Sequence, residues 1–263
     1  MRQTDLVTRK LDMVTGIATL AFNRPKVFNA LDIATAEAFD EGVAWLTGLE
    51  RLRCVVLTGM GKAFVAGGDV GAFAADPENA DRTLSLILKH MNPAILNLRS
   101  LDAPVMTALN GTAAGAGFSL LLASDYVVAS RSARLVLAYD KLGTTPDCSG
   151  TWFLSRKLGR QRAFELMLTG RALSAEEAQS WGIVNEVADE DDFGAAVDAR
   201  ARQIASGPTR AFGLFKRLMD AEKPLAAQLE MERDSFMQAT RTDDFRAAAR
   251  GFVDKTPVVF KGR

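Results

Sequence analysis

The stretch Ala108-Leu-Asn-Gly-Thr-Ala-Ala-Gly-Ala-Gly-Phe-Ser-Leu-Leu-Leu-Ala-Ser-Asp125 decides how the rest of the chain is read. It follows an extended apolar run at 105–109 and passes into an apolar segment of helical character. Gly111, Gly115 and Gly117, set among alanines, leave the backbone between them almost without side-chain cover. Such a turn can bring main-chain N–H groups against a ligand. A second turn of the same kind lies upstream, where a strand-like run at 53–58 leads through Gly59-Met-Gly-Lys62 to Ala63-Phe-Val-Ala-Gly-Gly-Asp-Val-Gly71. Strand, glycine turn and helix thus recur at a spacing of about fifty residues, which predicts a coil of strand–strand–helix units.

Working outward, 6–10 and 17–22 read as a hairpin with Thr15-Gly16 at its turn. Asp32 is placed to cap a helix whose apolar positions are Ala36, Phe39, Val43 and Leu46. A central helix carries Leu84, Ile87, Leu88, Met91, Ile95 and Leu98 on one stripe, and Pro93 inside it predicts a kink or break. Strands are expected at 126–130 and 134–137, then a loop at 140–150 and a helix at 160–169 stopped by Gly170. Ser174-Ala-Glu-Glu177 forms a capping box, Gly182 ends that helix, and 183–187 reads as a strand. From Asp191 the pattern is helical, broken at Gly207-Pro208 and Lys223-Pro224. We therefore divide the chain into a core at 1–206 and a helical region at 207–263. The stripes of that region (Phe212, Phe215, Leu218, Met219; Leu229, Phe236; Phe245, Phe252) carry more apolar surface than a small arm can bury alone. Oligomerisation is the expectation.

Composition narrows the function. In 263 residues, Lys plus Arg (32) balances Asp plus Glu (32), so nothing marks the chain for nucleic acid or an anionic membrane. No apolar run approaches membrane-spanning length, and the two separated cysteines, Cys54 and Cys148, fit a reduced, cytoplasmic setting. His90 is the one histidine, which makes the usual zinc sites untenable. No serine sits in a Gly-x-Ser-x-Gly context, and neither glycine turn carries a Walker lysine or a dinucleotide fingerprint. What the two turns can do together is converge. An N–H from Gly67-Gly68-Asp69 and one from 114–117 would form a hole for a developing oxyanion, each donor lowering the barrier by about 3–4 kcal/mol.

The residues that carry this pattern resemble those of the enoyl-CoA hydratase/isomerase (crotonase) superfamily over nearly the whole chain. The matches are Phe22-Asn-Arg-Pro-Lys26 with Asn29-Ala-Leu31, then 55–59 through Phe64-Val-Ala-Gly-Gly-Asp69, then Asn110-Gly-Thr-Ala-Ala-Gly-Ala-Gly117 through Ser124-Asp125. Leu142-Gly143, Leu168-Thr-Gly170, Ala178, Gly182 and the tail from Asp243 to Phe252 continue the series. The resemblance implies an α/β fold, a spiral of ββα repeats with a helical C-terminal trimerisation region, assembled as a trimer or a hexamer of two trimers. It implies an acyl-CoA thioester as substrate, with coenzyme A part of that substrate and no separate cofactor or metal. By position, the oxyanion-hole N–H groups fall on Gly68 and Ala116. Arg24, Lys26 and the backbone of Ala66, Gly67, Asp69 and Val70 fall where the family holds the CoA nucleotide. Phe252 and Lys255 fall where a neighbouring subunit often closes the pocket.

The reaction is a separate question. Hydratases of this family activate water with two glutamates, and at those places this chain has Ser119 and Tyr139. Neither hydroxyl exchanges protons usefully near neutral pH without a partner base. Asp147, in Thr145-Pro-Asp-Cys-Ser-Gly150, resembles the carboxylate of Δ3,Δ2-enoyl-CoA isomerases and 1,2-epoxyphenylacetyl-CoA isomerases. In an apolar pocket its pKa would rise, and it would take a proton and return it further along. The competing reading is that Asp147 caps the helix from Ser149; Asp140 is expected to point away. The dehalogenases that use a carboxylate nucleophile need a histidine where this chain has Asn92 and a tryptophan where it has Tyr139. The expectation is an acyl-CoA isomerase with Asp147 as acid/base, Gly68 and Ala116 as the hole, and Phe64, Tyr139 and Trp152 as pocket walls. An enoyl-CoA hydratase with non-standard residues and a non-catalytic acyl-CoA-binding protein are the alternatives.

Overall fold

The computed structural model describes residues 6–207, 209–220, 225–241 and 243–258. The chain opens with the hairpin β1 (Val7–Asp12) and β2 (Ile17–Phe22), antiparallel through the turn at Gly16. Helix α1 (Ile33–Thr47) starts at Asp32, whose side chain accepts from the Thr35 N–H at 2.7 Å. Then come β3 (Cys54–Gly59), β4 (Ala63–Val65), α2 (Val70–Ala75) and α3 (Ala80–Ser100). The next repeat is β5 (Val105–Leu109), β6 (Thr112–Ala114) and α4 (Ala116–Leu122). A third is β7 (Tyr126–Ser130), β8 (Arg134–Val136) and α5 (Gly150–Thr169). The chain continues through β9 (Ala172–Ser174), α6 (Ala175–Ser180), β10 (Glu186–Ala188) and α7 (Phe193–Ala205). It finishes with α8 (Thr209–Met219), α9 (Leu225–Thr240) and α10 (Asp243–Asp254).

Each repeat sends its first strand into one sheet and its second into another. The larger sheet has the order β1-β2-β3-β5-β7-β10, parallel from β2 onward; the smaller has β4-β6-β8-β9. The near-continuous Val, Leu and Ala runs of β3 and β5 follow from burial on both faces, as parallel sheets require. Polar side chains clamp successive turns of the spiral: Asn29 Nδ2 donates to the carbonyls of Ala63 (2.8 Å) and Phe64 (3.1 Å), and Asn110 Nδ2 donates to that of Gly61 (2.9 Å). The coil read from the two glycine turns is the architecture observed.

Two local expectations hold only in part. Helix α3 runs through Pro93 without a break. Pro93 and Lys89, whose carbonyl the proline leaves without a donor, both lie on the exposed face, where water can satisfy that oxygen while the buried stripe continues opposite. The strand expected at 183–187 is instead β10, further on. The N–H groups of Ile183 and Val184 both donate to the carbonyl of Ala178, so their backbone is spent on stopping α6 while their side chains plug the core. The capping box forms as read, with the Glu177 N–H on Ser174 Oγ at 3.1 Å.

The helical arm is anchored from within. Lys216 of α8 is buried and donates to the carbonyls of Leu98 and Ala103 and to Asp125 Oδ2, all between 3.1 and 3.2 Å. Leu225, Leu229 and Phe245 join the main hydrophobic core. Leu214, Phe215 and Met219 on α8 stay at least half exposed. Pro208, Lys223 and Pro224, and the side chains of Leu218 and Phe236, lie outside the described residues. Among the described residues no helix is long and apolar enough to cross a membrane.

Candidate active site

The two glycine turns meet. Gly67 (φ +94°) and Gly115 (φ +51°) adopt conformations that favour glycine, and a Cβ on Gly67 would sit 3.2 Å from the Ala114 carbonyl oxygen and 3.7 Å from Gly115 Cα. Leu31 brackets the first turn: its N–H donates to the Gly67 carbonyl at 2.8 Å, and its carbonyl accepts from the Asp69 N–H at 2.9 Å. In that parallel bridge the N–H of Gly68 itself points to the opposite side. On the second turn Ala116 is the first residue of α4, and the first bond into the helix is Ser119 N–H to the Gly115 carbonyl at 3.0 Å. The Ala116 N–H therefore has no partner in the helix. Both Gly68 and Ala116 line one cavity of about 850 Å³. A Cβ on Gly117 would overlap the Val65 carbonyl oxygen, so the helix start is pressed directly onto β4.

Asp147 lines the same cavity and is 5% exposed. Its Oδ1 accepts from the Tyr139 hydroxyl at 2.6 Å, and that phenol lies 3.0 Å from Ser119 Oγ. Burial pushes the carboxyl up from 3.8 to about 6, against the opposing pull of hydrogen bonds from Tyr139 and Cys148. Burial, and then the Asp147 charge, hold the Tyr139 phenol well above its ordinary value, so it stays protonated and donates. Asp147 does not cap α5 with its side chain; the Gly150 N–H takes the Asp147 main-chain carbonyl instead, at 2.8 Å. Asp69 is the other carboxylate among the described lining residues, and it is held by Arg24 at 3.3 Å.

Several expected site residues stand elsewhere. Lys26, Ala66, Gly67, Asp69 and Val70 line the cavity, but Arg24 does not. Its guanidinium is turned onto the Ala30 carbonyl (2.6 Å) and Asp32 (3.1 Å), where it fixes the loop that carries Leu31. Of the expected walls, Tyr139 is in place. Phe64 is a core residue, edge-on to Phe22 with centroids 6.0 Å apart, because β4 points it inward between the sheets. Trp152 is buried beneath the Arg156 guanidinium, 3.5 Å from the ring centroid, and does not reach the cavity. Phe252 lines the cavity from its own chain, because α10 packs beside α2, while Lys255 is exposed and outside the lining. Asp140 is outside the lining and pairs at 3.1 Å with Lys141, which does line the cavity. His90 links α3 to Asp40 of α1 at 3.3 Å, and neither it nor Asn92 lines the cavity, so the dehalogenase arrangement is not assembled. Among the described residues no group of three or more His, Cys, Asp or Glu could hold a metal ion.

Sequence reasoning missed how Ser119 and Tyr139 act, having weighed each alone. The signal available was a polar residue within each of two apolar stretches, 118–122 and 135–139. Leu84, Ile87 and Leu88, read only as part of one helix stripe, also line the cavity.

Within a spiral of ββα repeats, two bare-backbone turns and one buried carboxylate thus line a single cavity. Residues 12–263 match the family model described as enoyl-CoA hydratase/isomerase, and the chain belongs to that family. It is 38% identical over 251 residues to 1,2-epoxyphenylacetyl-CoA isomerase of Escherichia coli (strain K12), covering 94% of this chain and 96% of that protein. It is 36% identical over 205 residues to 4-chlorobenzoyl coenzyme A dehalogenase-2 of Arthrobacter sp, covering 76% and 73%. The structure of an enoyl-CoA hydratase from Mycobacterium avium subsp. paratuberculosis K-10 superposes with a TM-score of 0.86 at 27% identity, covering 97% of this chain and 98% of that one.

Proposed function

We propose that this family member is an acyl-CoA isomerase, with Asp147 as its single acid/base and the N–H groups of Gly68 and Ala116 as donors to the thioester oxygen. The observation that carries the reading is that Asp147 is buried and lines the same cavity as Gly68 and Ala116, while Ser119 and Tyr139 stand where the family resemblance implies the hydratase glutamates. The Asp147 carboxylate removes a proton from the carbon alpha to the thioester, and the C–H electron pair moves into a dienolate held by the two N–H groups. The same carboxyl then returns the proton two carbons further along, so the double bond shifts with no net change in atoms. A carboxyl poised at about 6 suits both halves of that cycle near neutral pH. Ser119 and Tyr139 supply no second base to activate water. The name of the Escherichia coli relative supports the isomerase reading.

Lys26 and the backbone at 66–70 are placed to hold the CoA moiety, and Phe73, Leu84, Ile87, Leu88 and Phe252 line the cavity with apolar surface suited to a chain or ring. The reaction draws on no separate cofactor. The exposed apolar face of α8 supports assembly as a trimer or a dimer of trimers, which light scattering on the purified protein would test. The activity is tested by supplying 3-enoyl-CoA and 2-enoyl-CoA separately to the wild type and to Asp147→Asn. Conversion of the 3-enoyl thioester that Asp147→Asn abolishes is the expected result. Efficient hydration of the 2-enoyl thioester, unchanged in Asp147→Asn, would sink the assignment in favour of hydratase.

A further inference from the structure

We propose that Tyr139 is a positioning residue that works through Asp147: its phenol holds carboxylate oxygen Oδ1 while Ser119 holds the phenol, leaving Oδ2 to exchange the substrate proton. The inference rests on the reading of Asp147 as the acid/base and says how that base is kept in one orientation and one protonation range.

Three side chains from three separate segments make the chain of bonds: Ser119 in α4, Tyr139 at the start of a short 3-10 helix, Asp147 in the loop before α5. Ser119 is fully buried, and Tyr139 and Asp147 are each 5% exposed. A hydrogen bond sealed from water in this way is not readily exchanged for one to solvent, so the carboxylate keeps the rotamer the phenol selects. The backbone around the pair is unusual. Of the six described non-glycine residues with positive φ, three flank it: Ala138 (+63°) before Tyr139, then Cys148 (+48°) and Ser149 (+70°) after Asp147. Conformations of that kind are costly for side-chain-bearing residues and gather at functional sites. Here they turn the phenol and the carboxyl toward each other across eight residues of chain.

The direction of the hydrogen bond matters. A protonated phenol donates to an ionised carboxylate and stabilises it, which lowers the pH at which the base becomes available. Among the described residues no charged group acts on the Asp147 carboxyl, although Lys26, Asp69 and Lys141 line the same cavity. The titratable groups that act on the Asp147 carboxyl are Tyr139 and Cys148. The cations of neighbouring elements are engaged elsewhere: Lys141 with Asp140, Arg156 over Trp152, Lys157 on the Ser124 carbonyl, Arg246 of α10 with Glu78. Arg250, Asp254 and Lys255 at the end of α10 are exposed.

The test compares wild type, Tyr139→Phe, Ser119→Ala and Asp147→Asn by the pH dependence of kcat/KM for 3-enoyl-CoA isomerisation. The aspartate carboxyl carbons, labelled with carbon-13, are titrated by NMR in the free protein, with Asp147→Asn assigning the Asp147 signal. Tyr139→Phe keeps the ring and removes the hydroxyl. It is expected to move the acid limb of kcat/KM, and the Asp147 carboxyl titration with it, upward by about one to two pH units. kcat should fall at least about tenfold, with KM little changed. Ser119→Ala, which leaves the phenol in place, should move both readouts the same way by less, and it carries the test if Tyr139→Phe does not fold. Acid limbs and carboxyl titrations unchanged in Tyr139→Phe, or in Ser119→Ala where that variant stands in for it, overturn the proposal even when Asp147→Asn is inactive. Full activity of Asp147→Asn overturns the acid/base reading instead, and the NMR titration still reports whether the phenol governs the carboxyl.

Discussion

One half of the cavity proposed to receive the thioester is built from main chain, the other from side chains. Gly68 and Ala116 offer N–H groups whose positions depend on a parallel bridge to Leu31 and on the first turn of α4. Asp147, Tyr139 and Ser119 form a chain of hydroxyl and carboxyl bonds whose members depend on their own side-chain chemistry. The main-chain half tolerates changes of residue type so long as no Cβ enters the contact between turns. In the proposed mechanism it would therefore serve any reaction that passes through a thioester enolate. In the proposed mechanism the side-chain half selects which reaction follows, because it decides where protons go. Membership of the enoyl-CoA hydratase/isomerase family is carried by the match over residues 12–263, and the proposed isomerase chemistry rests on the second half.

The contrast breaks most sharply at Asp147. Asp147→Asn keeps the volume and the oxygen that accepts from Tyr139, and removes the base. Isomerase kcat/KM is expected to fall by about 10³-fold or more, with affinity for a saturated acyl-CoA retained, as isothermal titration would show. A parallel loss of acyl-CoA binding would mean that the two halves are not separable.

The same substitution has a consequence for stability. The folded carboxyl titrates near 6, against 3.8 for the free side chain, so between those values the folded protein binds more protons than the unfolded chain. Stability is therefore lost as pH rises from about 4 through 6, and the full penalty stands above that. For this shift it is on the order of 3 kcal/mol. Asn does not titrate. Asp147→Asn should gain up to about that amount relative to wild type at pH 7 compared with pH 4, read from urea midpoints across the range. A stability difference independent of pH would show that burial does not hold the carboxyl up.

The main-chain half is tested at Gly117. A Cβ there meets the Val65 carbonyl, a backbone atom that cannot swing away. Gly117→Ala should displace the start of α4 and with it the Ala116 N–H, lowering kcat by about 10²-fold. The Asp147 carboxyl should keep its titration. By contrast, the atom facing a Cβ on Gly68 is the ring edge of Phe73, which can shift, so Gly68→Ala is the milder variant.

This division also explains what was legible in the amino-acid order. The repeats, the hairpin, the Asp32 and Ser174 caps and both glycine turns could be read because each depends on local spacing and on residues with few conformational options. Asp147 could be read from its loop. The bonds from Tyr139 to Asp147 and Ser119 could not, because they depend on unusual φ values at Ala138, Cys148 and Ser149 that no local preference announces. Arg24, which the resemblance puts where the family holds the CoA nucleotide, lies outside the cavity lining and pairs with Asp32 and Asp69, a pairing that residue order alone does not announce.

Phe64 gives the smallest expected effect and the cleanest boundary between site and scaffold. By sequence it sits three residues before Gly67 and reads as a wall of the pocket. In the structure it is fully buried against Phe22, with Val65 between it and the turn. Phe64→Leu would remove part of a ring from the core and leave the cavity lining unaltered. The cost should be about 1–2 kcal/mol of stability, seen as a lower urea midpoint. KM and the acyl-length preference should stay within twofold of wild type, since none of the groups that touch the acyl chain has moved. A changed length preference would mean that the ring supports the wall formed by Phe73 and Ala66, and the line between the two halves would then have to be drawn one layer further out.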